Sequence, residues 1–445
     1  MDVIRTVSLN LQECLSEELD QLARDCEVVV RQRLFTGRTL LLMIVATLLR
    51  KPDAAWADFH LTAAQLGLQL SQTAVEKRFA AGQPLVDFFR EALERALQRT
   101  VAADPASASL FGQFTAVLIG DASTIALPDE LADLFAGCGG SEGTSRAALK
   151  LQVLWDLKTG KLAQLRIEPG KASDARSPIA QREPQPGELL VFDLGCFDLS
   201  RFADTHAKGA KFISRLLHGT EVFDALGEPL DLRACLREQA GGLVDREILL
   251  GASMKLPCRL VAVRVPEEVA NRRRQQAREK AAKKGRVPTK EYLELLGWSL
   301  FVTNCGKEEL TWKAVVVLYR ARWQIELLFK LWKSHNRLAK HREGAKALEV
   351  LAVFYAKLLG VLLQHWILVA TAWQVAERSL TKAARALVEV VKQILLALGD
   401  DAALQAALLR LREAIKKVGG TTNRKKKPSH AQLIEDPELL DWLCP

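Results

Sequence analysis

The sequence predicts an α/β protein in which a mixed β-sheet is preceded and followed by helical segments. Three observations carry this prediction. Helical periodicity without a convincing strand extends to about residue 105, β-branched apolar runs begin near Phe114, and amphipathic helical periodicity resumes after Val375. With 445 residues, of which 49% are hydrophobic, the chain is long enough for several domains and too apolar for general disorder.

The charge balance and the cysteines narrow the class of protein. The net charge of +9 favours an anionic partner, and nucleic acid is the first candidate. The eight cysteines form no CxxC pair, and the seven histidines lack the spacing of zinc ligands. Free thiols in a reducing compartment therefore fit better than a disulfide framework or a zinc site.

Two segments of the sequence indicate where in the cell the protein is located. The beginning of the chain carries acidic residues where a signal peptide needs a basic and then an apolar region. The longest apolar stretch, residues 350–375, is interrupted by Lys357, Gln364 and His365. Because polar side chains are costly in a bilayer, a buried core helix explains this stretch better than a membrane span. We expect a cytoplasmic protein without a membrane partner.

The helical periodicity of residues 1–105 predicts an all-helical N-terminal domain. Residues 39–49 have the pattern of a compact core helix, and two short helical patterns at 62–66 and 71–80 flank a turn around Gly67. This is the outline of a helix-turn-helix, whose second helix could enter a DNA major groove; an ordinary helical hairpin is the alternative. The candidate DNA-binding residues of the second helix are Lys77 and Arg78.

Two apolar runs predict strands that each end in an aspartate. Residues 115–121 are β-branched and apolar up to Asp121, and a loop is expected at residues 122–124. Residues 188–193 form a shorter run that ends at Asp193. A single aspartate at the end of a strand more often only caps a turn. The inference of a functional site therefore rests on the two aspartates together.

The order of the remaining elements indicates a ribonuclease-H-like catalytic domain. Residues 149–157 and 161–168 predict two strands joined at Gly160, a polar helical stretch follows, and a further strand starts at Lys211. In such a fold the first and fourth strands are neighbours, so their terminal acids lie side by side. A late helix covers the same end of the sheet, and the helix that contains Glu326 is the natural candidate.

The segment between Asp193 and Glu326 is longer than one strand and one crossover connection need, which predicts an inserted subdomain. The insertion has β-prone pieces and a basic run at residues 271–286 with only one acid, Glu279. Like charges at this density repel unless an anion lies across them, although a solvated helix or a flexible loop is the alternative. The predicted domains are residues 1–105 (helical, DNA-binding), 106–220 with 306–375 (ribonuclease-H-like), 221–305 (β-rich insertion with basic helix) and 376–445 (helical, with a basic tail).

Four residues between 318 and 337 follow one strict spacing. Tyr319, Arg322, Glu326 and Lys333 are separated by three, four and seven positions. On a helix that turns about 100° per residue, their side chains point within roughly 60° of one another. One carboxylate among cations and a ring suits a metal-assisted reaction on a phosphate backbone, and a solvated charged helix face is the alternative.

Three carboxylates, Asp121, Asp193 and Glu326, therefore make a candidate metal site. Acids at close range raise each other's pKa, and divalent cations remove that penalty. Mg²⁺ prefers oxygen ligands, and two ions can serve an in-line displacement at phosphorus; Mn²⁺ is expected to substitute. The competing aspartates are Asp129, Asp156 and Asp198, which stand in a loop, before a hairpin turn and beyond a strand.

The spacing Y-x2-R-x3-E-x6-K resembles the hallmark helix of DDE transposases of the insertion-sequence-four family. The segments LIGDASTIALPD and LLVFDLGCFDLSRF resemble the surroundings of that family's first two catalytic aspartates, and GWSLFVTN resembles the end of its β-rich insertion. The resemblance covers about residues 114–340. It implies that Asp121, Asp193 and Glu326 are metal ligands and that Tyr319, Arg322 and Lys333 hold DNA beside the scissile phosphate.

The resemblance also implies a role for Trp298. In relatives that cut through a DNA hairpin, a tryptophan near the end of the insertion stacks on a flipped base, and Trp298 is the matching residue; a core tryptophan is the alternative. The basic run is not part of the family pattern. From its charge alone we expect Arg272, Arg273 and Arg274 to contact DNA.

We therefore expect a bacterial transposase that binds the terminal inverted repeats of its own insertion sequence and catalyses Mg²⁺-dependent strand cleavage and strand transfer. Its partners would be double-stranded DNA, as transposon ends and target, and further copies of itself in a dimer or higher multimer. It would associate with the nucleoid when bound to DNA. The alternatives are a ribonuclease-H-fold nuclease or resolvase without strand transfer, and a non-catalytic DNA-binding descendant.

Overall fold

The computed structural model describes residues 2–30, 35–105, 109–139, 145–375, 377–418 and 428–440. The chain divides into two units. Unit 1 comprises Met1–Ala106, Asp121–Ser173 and Ile325–Thr422, and unit 2 comprises Ser107–Gly120, Asp174–Gln324 and Asn423–Pro445. Residues 423–427 of the predicted basic tail, which was expected at residues 423–430, lie outside the described residues. The predicted domain boundaries stay a prediction.

The α-helices among the described residues account for most of the N-terminal and C-terminal sequence, as predicted. They are α1 (Val3–Glu13), α2 (Glu17–Asp25), α3 (Gly37–Arg50), α4 (Trp56–Gln65), α5 (Gln72–Phe79), α6 (Gln83–Leu97), α7 (Leu199–Ala207), α8 (Leu232–Arg237), α9 (Glu267–Ala282), α10 (Lys290–Leu295), α11 (Trp312–Ala321), α12 (Trp323–Lys330), α13 (Ala347–Ala372), α14 (Leu380–Ala397), α15 (Asp401–Val418) and α16 (His430–Glu435).

The strands fall in the middle of the chain. In unit 1 their order is β3-β2-β1, and in unit 2 it is β1-β4-β5-β9-β8-β7-β6; β1 occurs in both because the division follows Gly120. The strands are β1 (Val117–Leu127), β2 (Ala147–Asp156), β3 (Leu162–Pro169), β4 (Leu189–Val191), β5 (Lys211–Arg215), β6 (Val222–Phe223), β7 (Leu243–Leu250), β8 (Leu256–Arg264) and β9 (Trp298–Thr303).

The predicted neighbourhood of the first and fourth strands is confirmed. β4 pairs in parallel with β1, with Ile119 opposite Val191, and β5 pairs in parallel with β4. β2 and β3 form the predicted antiparallel hairpin, and Gly160 in its turn has a φ of +76°, which favours glycine. This arrangement of strands confirms the α/β fold class predicted from the sequence.

The predicted end of the first strand is wrong. β1 does not stop at Asp121 but continues to Leu127, so residues 122–124 belong to the strand and not to a loop. The reason is the neighbouring strand: β1 is hydrogen-bonded to β2 in the order β3-β2-β1, and the buried Ile125 and Leu127 alternate with exposed positions. A carboxylate therefore stands within a paired strand.

The polar helix predicted between the third and fourth strands is also absent from the described residues. Only a 3₁₀ turn, Asp174–Arg176, occurs between β3 and β4 there. Pro178, Pro184 and Pro186 lack a backbone N–H and restrict the residue before them, so a continuous helix cannot form in this segment.

The insertion is β-rich with a basic helix, as predicted. Within unit 2, β9 pairs antiparallel with both β5 and β8, so the strands of the insertion extend the sheet that starts at β1. Most of the basic run, residues 271–282, lies in α9, which begins at Glu267 and ends at Ala282, and residues 283–286 follow the helix. Its only buried residue is Ala270.

The single helix predicted for Tyr319, Arg322, Glu326 and Lys333 is divided into three segments. α11 ends before Arg322, α12 contains Glu326, and Lys333 lies in a π-helical turn at Leu331–His335. A π turn contains more residues than an α turn, so the assumed rotation of about 100° per residue does not hold up to Lys333. The prediction of one straight stripe is therefore wrong in this respect.

α13 is a core helix of unit 1. By length and composition it is the one helix among the described residues that could cross a membrane, but 78% of its most apolar window is buried. It packs against α3, α6 and α15. All seven cysteines in the described part of the chain are free thiols, as predicted.

His365 is a buried, acid-sensitive group in this core. Its ring Nε2 lies 2.8 Å from the carbonyl oxygen of Gly160, and burial lowers its pKa from the ordinary 6.5 to about 4. Both folded and unfolded chains carry a neutral His365 above pH 7, whereas at pH 5 mainly the unfolded chain takes up the proton. The unfolding free energy should therefore fall by about 2 kcal/mol between pH 7 and pH 5 through this group.

Urea denaturation at the two pH values tests this expectation. The variant His365→Gln keeps a side-chain N–H donor without a group that titrates in this range, so it should lose about 2 kcal/mol less than the unchanged protein over the same interval. Equal losses in both proteins would contradict the assignment of the acid sensitivity to His365.

Candidate active site

Two of the predicted acids belong to unit 1. Asp121 is half-buried in β1, and its Oδ1 accepts a hydrogen bond of 2.8 Å from the backbone N–H of Ala122. Glu326 is half-buried in the first turn of α12, between the buried Ile325 and the exposed Leu327. Local structure fixes both backbones, because one belongs to a paired strand and the other to a helix with a buried face.

Lys333, also in unit 1, lies beside the strand that carries Asp121. Its Nζ is 3.3 Å from the hydroxyl of Ser123 and donates a hydrogen bond of 3.1 Å to the carbonyl oxygen of Thr124. The ammonium is therefore held near residues two and three positions after Asp121. Sequence reasoning did not find Ser123 and Thr124 as partners, because they were assigned to a loop.

Asp193 and Arg322 both belong to unit 2 and form an ion pair. The Nε of Arg322 lies 3.4 Å from Oδ1 of Asp193, and Oδ2 of Asp193 accepts a hydrogen bond from the N–H of Gly195. Asp193 follows β4 by two residues and caps the 3₁₀ turn Leu194–Cys196. The Asp193 side chain is 41% exposed and that of Arg322 only 17%, so the carboxylate remains accessible to a ligand.

Tyr319 packs in unit 2 with its ring centroid 5.1 Å from that of Phe301. Burial raises the pKa of its hydroxyl, and Arg215 and Arg322 oppose this shift. The hydroxyl is therefore neutral at physiological pH and can donate a hydrogen bond. Arg215 was missed from the sequence, because its place depends on the strand register: Val191 pairs with Ile213, so Asp193 and Arg215 each follow their paired residue by two positions.

The three competing aspartates have structural roles. Asp129 accepts hydrogen bonds from the hydroxyl of Ser145 and the N–H of Arg146. Asp156 is buried and accepts from the N–H of Lys158 and the hydroxyl of Thr159 within the β2–β3 turn. Asp198 caps the N-terminus of α7. These hydrogen bonds account for the presence of the three aspartates, and no catalytic role is needed to explain them.

The predicted helix-turn-helix outline is present in unit 1. α4 and α5 flank Gly67, whose φ is +78°, and the hydroxyl of Ser71 accepts a hydrogen bond from the N–H of Ala74. On α5, Lys77 is exposed. Arg78 instead donates a hydrogen bond to the carbonyl oxygen of Val28 and lies over the ring of Phe35, so a part of its guanidinium is engaged within the protein.

The structure places Trp298 in the core of unit 2. Only 8% of its surface is exposed, and the guanidinium of Arg264 lies 4.9 Å from the centre of its ring. This position agrees with the alternative of a core tryptophan, and its stacking role stays a prediction. Trp323, the residue after Arg322, is by contrast 57% exposed.

The three arginines predicted on the basic helix differ in their surroundings. Arg272 is exposed. Arg273 donates hydrogen bonds to the carbonyl oxygen of Trp298 and the hydroxyl of Ser299, and burial lowers its pKa to about 10. Arg274 is bound to the carbonyl oxygen of Leu293 and to Glu267. Two of the three guanidinium groups therefore serve contacts within unit 2.

The donor chemistry of the predicted triad fits magnesium. Asp121, Asp193 and Glu326 offer only carboxylate oxygens, which Mg²⁺ prefers, and none is fully buried. No group of three or more His, Cys, Asp or Glu side chains that could hold a metal ion is gathered within the described residues. The joint action of the three acids on metal therefore stays a prediction.

Comparisons with the sequences of known proteins agree with the resemblance described above. The transposase for insertion sequence element IS231F of Bacillus thuringiensis subsp. israelensis is 27% identical over 79% of this chain and 78% of its own length. The transposase for IS1151 of Clostridium perfringens is 24% identical over 82% of this chain and 80% of its own. A solved structure of a piggyBac transposase synaptic complex with hairpin DNA covers 97% of this chain and 87% of its own, with 9% identity and a TM-score of 0.44.

A domain family described as the transposase DDE domain matches residues 112–359. The matched region starts just before β1 and ends within α13, so it contains Asp121, Asp193, Glu326 and the Y-R-E-K spacing. Since this match covers more than half of the 445 residues, the chain belongs to the transposase DDE domain family.

Proposed function

We propose that this chain binds the terminal inverted repeats of its insertion sequence, cleaves the DNA strands there and joins them to a target. Membership of the transposase family supports a DNA-cleaving and DNA-transferring enzyme. The finer assignment uses Asp121, Asp193 and Glu326 as the ligands of two Mg²⁺ ions. It also uses Tyr319, Arg322 and Lys333 as the residues that hold the DNA backbone.

The strand register is the observation that carries this proposal. Ile119 of β1 lies opposite Val191 of β4 in a parallel pair. Asp121 and Asp193 each follow their paired residue by two positions along the chain. Parallel strands advance together by about 3.3 Å per residue, which supports a common level for the two carboxylates. Sequence alone could not supply this register.

The cationic and phenolic side chains have separate tasks in the proposed reaction. Arg322 presents a planar fork that suits a phosphate, and its present partner is the carboxylate of Asp193. Tyr319 donates a hydrogen bond from a neutral hydroxyl. Lys333 places a single positive charge beside β1. Together these groups would orient the phosphodiester and stabilise the charge that develops on its oxygens.

The chemistry consists of two in-line substitutions at phosphorus. In the first, a water oxygen forms a bond to phosphorus, the bond to the 3′ oxygen breaks, and that oxygen leaves as a 3′-hydroxyl after taking up a proton. In the second, this hydroxyl attacks a target phosphodiester and a target 3′-hydroxyl leaves. Bound divalent ions would supply activation of the attacking oxygen and stabilisation of the leaving one, and Mn²⁺ should substitute for Mg²⁺.

The proposed partners follow from this reaction. Two transposon ends must meet, so we expect a homodimer or a higher multimer on DNA. The exposed Lys77 on α5 would contribute to binding of the end DNA in a helix-turn-helix manner. The protein would act in the bacterial cytoplasm, where its DNA substrate lies.

A strand-transfer assay with pre-cut ends tests the proposal. We expect labelled end DNA with a free 3′-hydroxyl to become joined to a supercoiled plasmid when Mg²⁺ is present. Ends that carry a 3′-deoxy terminus should give no joined product, since they lack the nucleophile. Cleavage of uncut ends without any joining of pre-cut ends would indicate a nuclease or resolvase, and binding without a Mg²⁺-dependent nick would indicate a non-catalytic descendant.

A further inference from the structure

The basic helix α9 of unit 2 buries little apolar surface. A helix of a folded domain normally buries a stripe of apolar side chains, which provides most of its stability. In α9, which has 16 residues, only Ala270 is buried. The composition of this helix therefore needs an explanation other than packing in the core.

Two arginines fasten the helix to the rest of unit 2. Arg273 reaches the carbonyl oxygen of Trp298 at 3.2 Å and the hydroxyl of Ser299 at 3.1 Å, both at the start of β9. Arg274 reaches the carbonyl oxygen of Leu293 at 3.1 Å. Because these guanidinium groups are used for anchoring, they are poorly placed to bind an external anion.

The remaining cations of the basic run point to solvent. Glu267 and Glu268 are confined to the first turn, and the only later acid, Glu279, accepts a hydrogen bond from Gln275. Favourable interaction with the helix dipole accounts for one or two cations in the last turn but not for the whole set. The exposed cations are Arg272, Arg278, Lys280, Lys283, Lys284 and Arg286.

We propose that the exposed cations of α9 and the turn after it bind the phosphate backbone of duplex DNA, without reading its sequence. This proposal rests on the proposed function and adds a second DNA-binding surface, located in the insertion. From Arg272 to Arg286 the run covers about 20 Å at 1.5 Å per residue, which equals about six base pairs of duplex at about 3.4 Å each. A regularly charged polyanion of that length matches the exposed cations in extent. The anchoring arginines, Arg273 and Arg274, only orient the helix.

The test replaces three of these cations in the full chain and leaves the anchors intact. The variant Lys280→Gln/Lys283→Gln/Lys284→Gln should bind end DNA and unrelated duplex more weakly by the same factor. The slope of log affinity against log salt should become shallower by about 0.9 for each phosphate that the variant no longer neutralises.

A matched control separates local binding from net charge. Arg410→Gln/Lys416→Gln/Lys417→Gln removes three exposed cations from α15 and should leave the salt slope unchanged. A slope for the α9 variant equal to that of the unchanged protein, or equally weakened binding by the α9 and α15 variants, would overturn the proposal. If the unchanged protein binds no DNA at all, the proposed function fails instead, and circular dichroism of both variants distinguishes weaker DNA binding from unfolding.

Discussion

Glu326→Gln should abolish strand cleavage while DNA binding persists. The substitution keeps the length of the side chain and its half-buried place on α12 but removes the negative charge. A neutral amide is a poor ligand for Mg²⁺, so the proposed metal site would lose one of three carboxylates. We expect nicking of end DNA to fall on the order of 10³-fold or more, and a gel-shift titration should give nearly the same affinity as before.

The exposed Glu308 offers a matched control for this change. Glu308→Gln also removes one negative charge, but it lies in the turn after β9 and has no assigned role. It should cut DNA at the rate of the unchanged protein. Normal Mg²⁺-dependent cutting by Glu326→Gln would show that the acid of α12 is not a metal ligand.

Arg322→Ala should separate catalysis from binding in a second way. In the free protein its guanidinium lies 3.4 Å from Asp193, and in the proposed complex it holds the phosphate to be cut. Loss of one such donor costs on the order of 10²-fold to 10³-fold in the rate of the chemical step. Because the overall interface with DNA is much larger than one residue, the affinity for end DNA should change only a few-fold.

The conservative variant Arg322→Lys tests the geometry of this interaction. A lysine keeps the charge but not the planar fork, so it should recover only a part of the lost rate. Arg233→Lys, on helix α8, makes the same chemical change at a residue whose partner is Glu291 and not Asp193, and it should have no effect. Full activity of both Arg322 variants would exclude a role for this residue at the scissile phosphate.

The sequence predicted the main strands because local patterns define them. The alternation of apolar residues, Gly160 in the hairpin turn and the short apolar run before Asp193 are all local signals, and the structure contains each of these elements. The insertion was found in the same way, since β7, β8 and β9 follow β-prone runs and α9 follows the charged run.

What the sequence could not predict depends on partners distant along the chain. β1 extends beyond Asp121 because β2 pairs with it, whereas residues 122–124 taken alone have the composition of a loop. The π turn that contains Lys333 changes the helical phase in a way that spacing alone does not indicate. Arg273 was expected to contact DNA because of its charge, but its guanidinium is bound to the carbonyl oxygen of Trp298. For Trp298 the sequence left stacking on a base and a place in the core both open, and the strands around it bury the ring.

The central claim is that Asp121, Asp193 and Glu326 hold the same metal ions, and a cleavage map of the protein tests it most directly. With Fe²⁺ in place of Mg²⁺ in the DNA complex, ascorbate and peroxide generate hydroxyl radicals that cut the polypeptide near the bound ion. We predict cuts close to residues 121, 193 and 326 in the same complex, all of which disappear together in Glu326→Gln. Cuts near only one of these positions, or cuts that persist in that variant, would contradict the account.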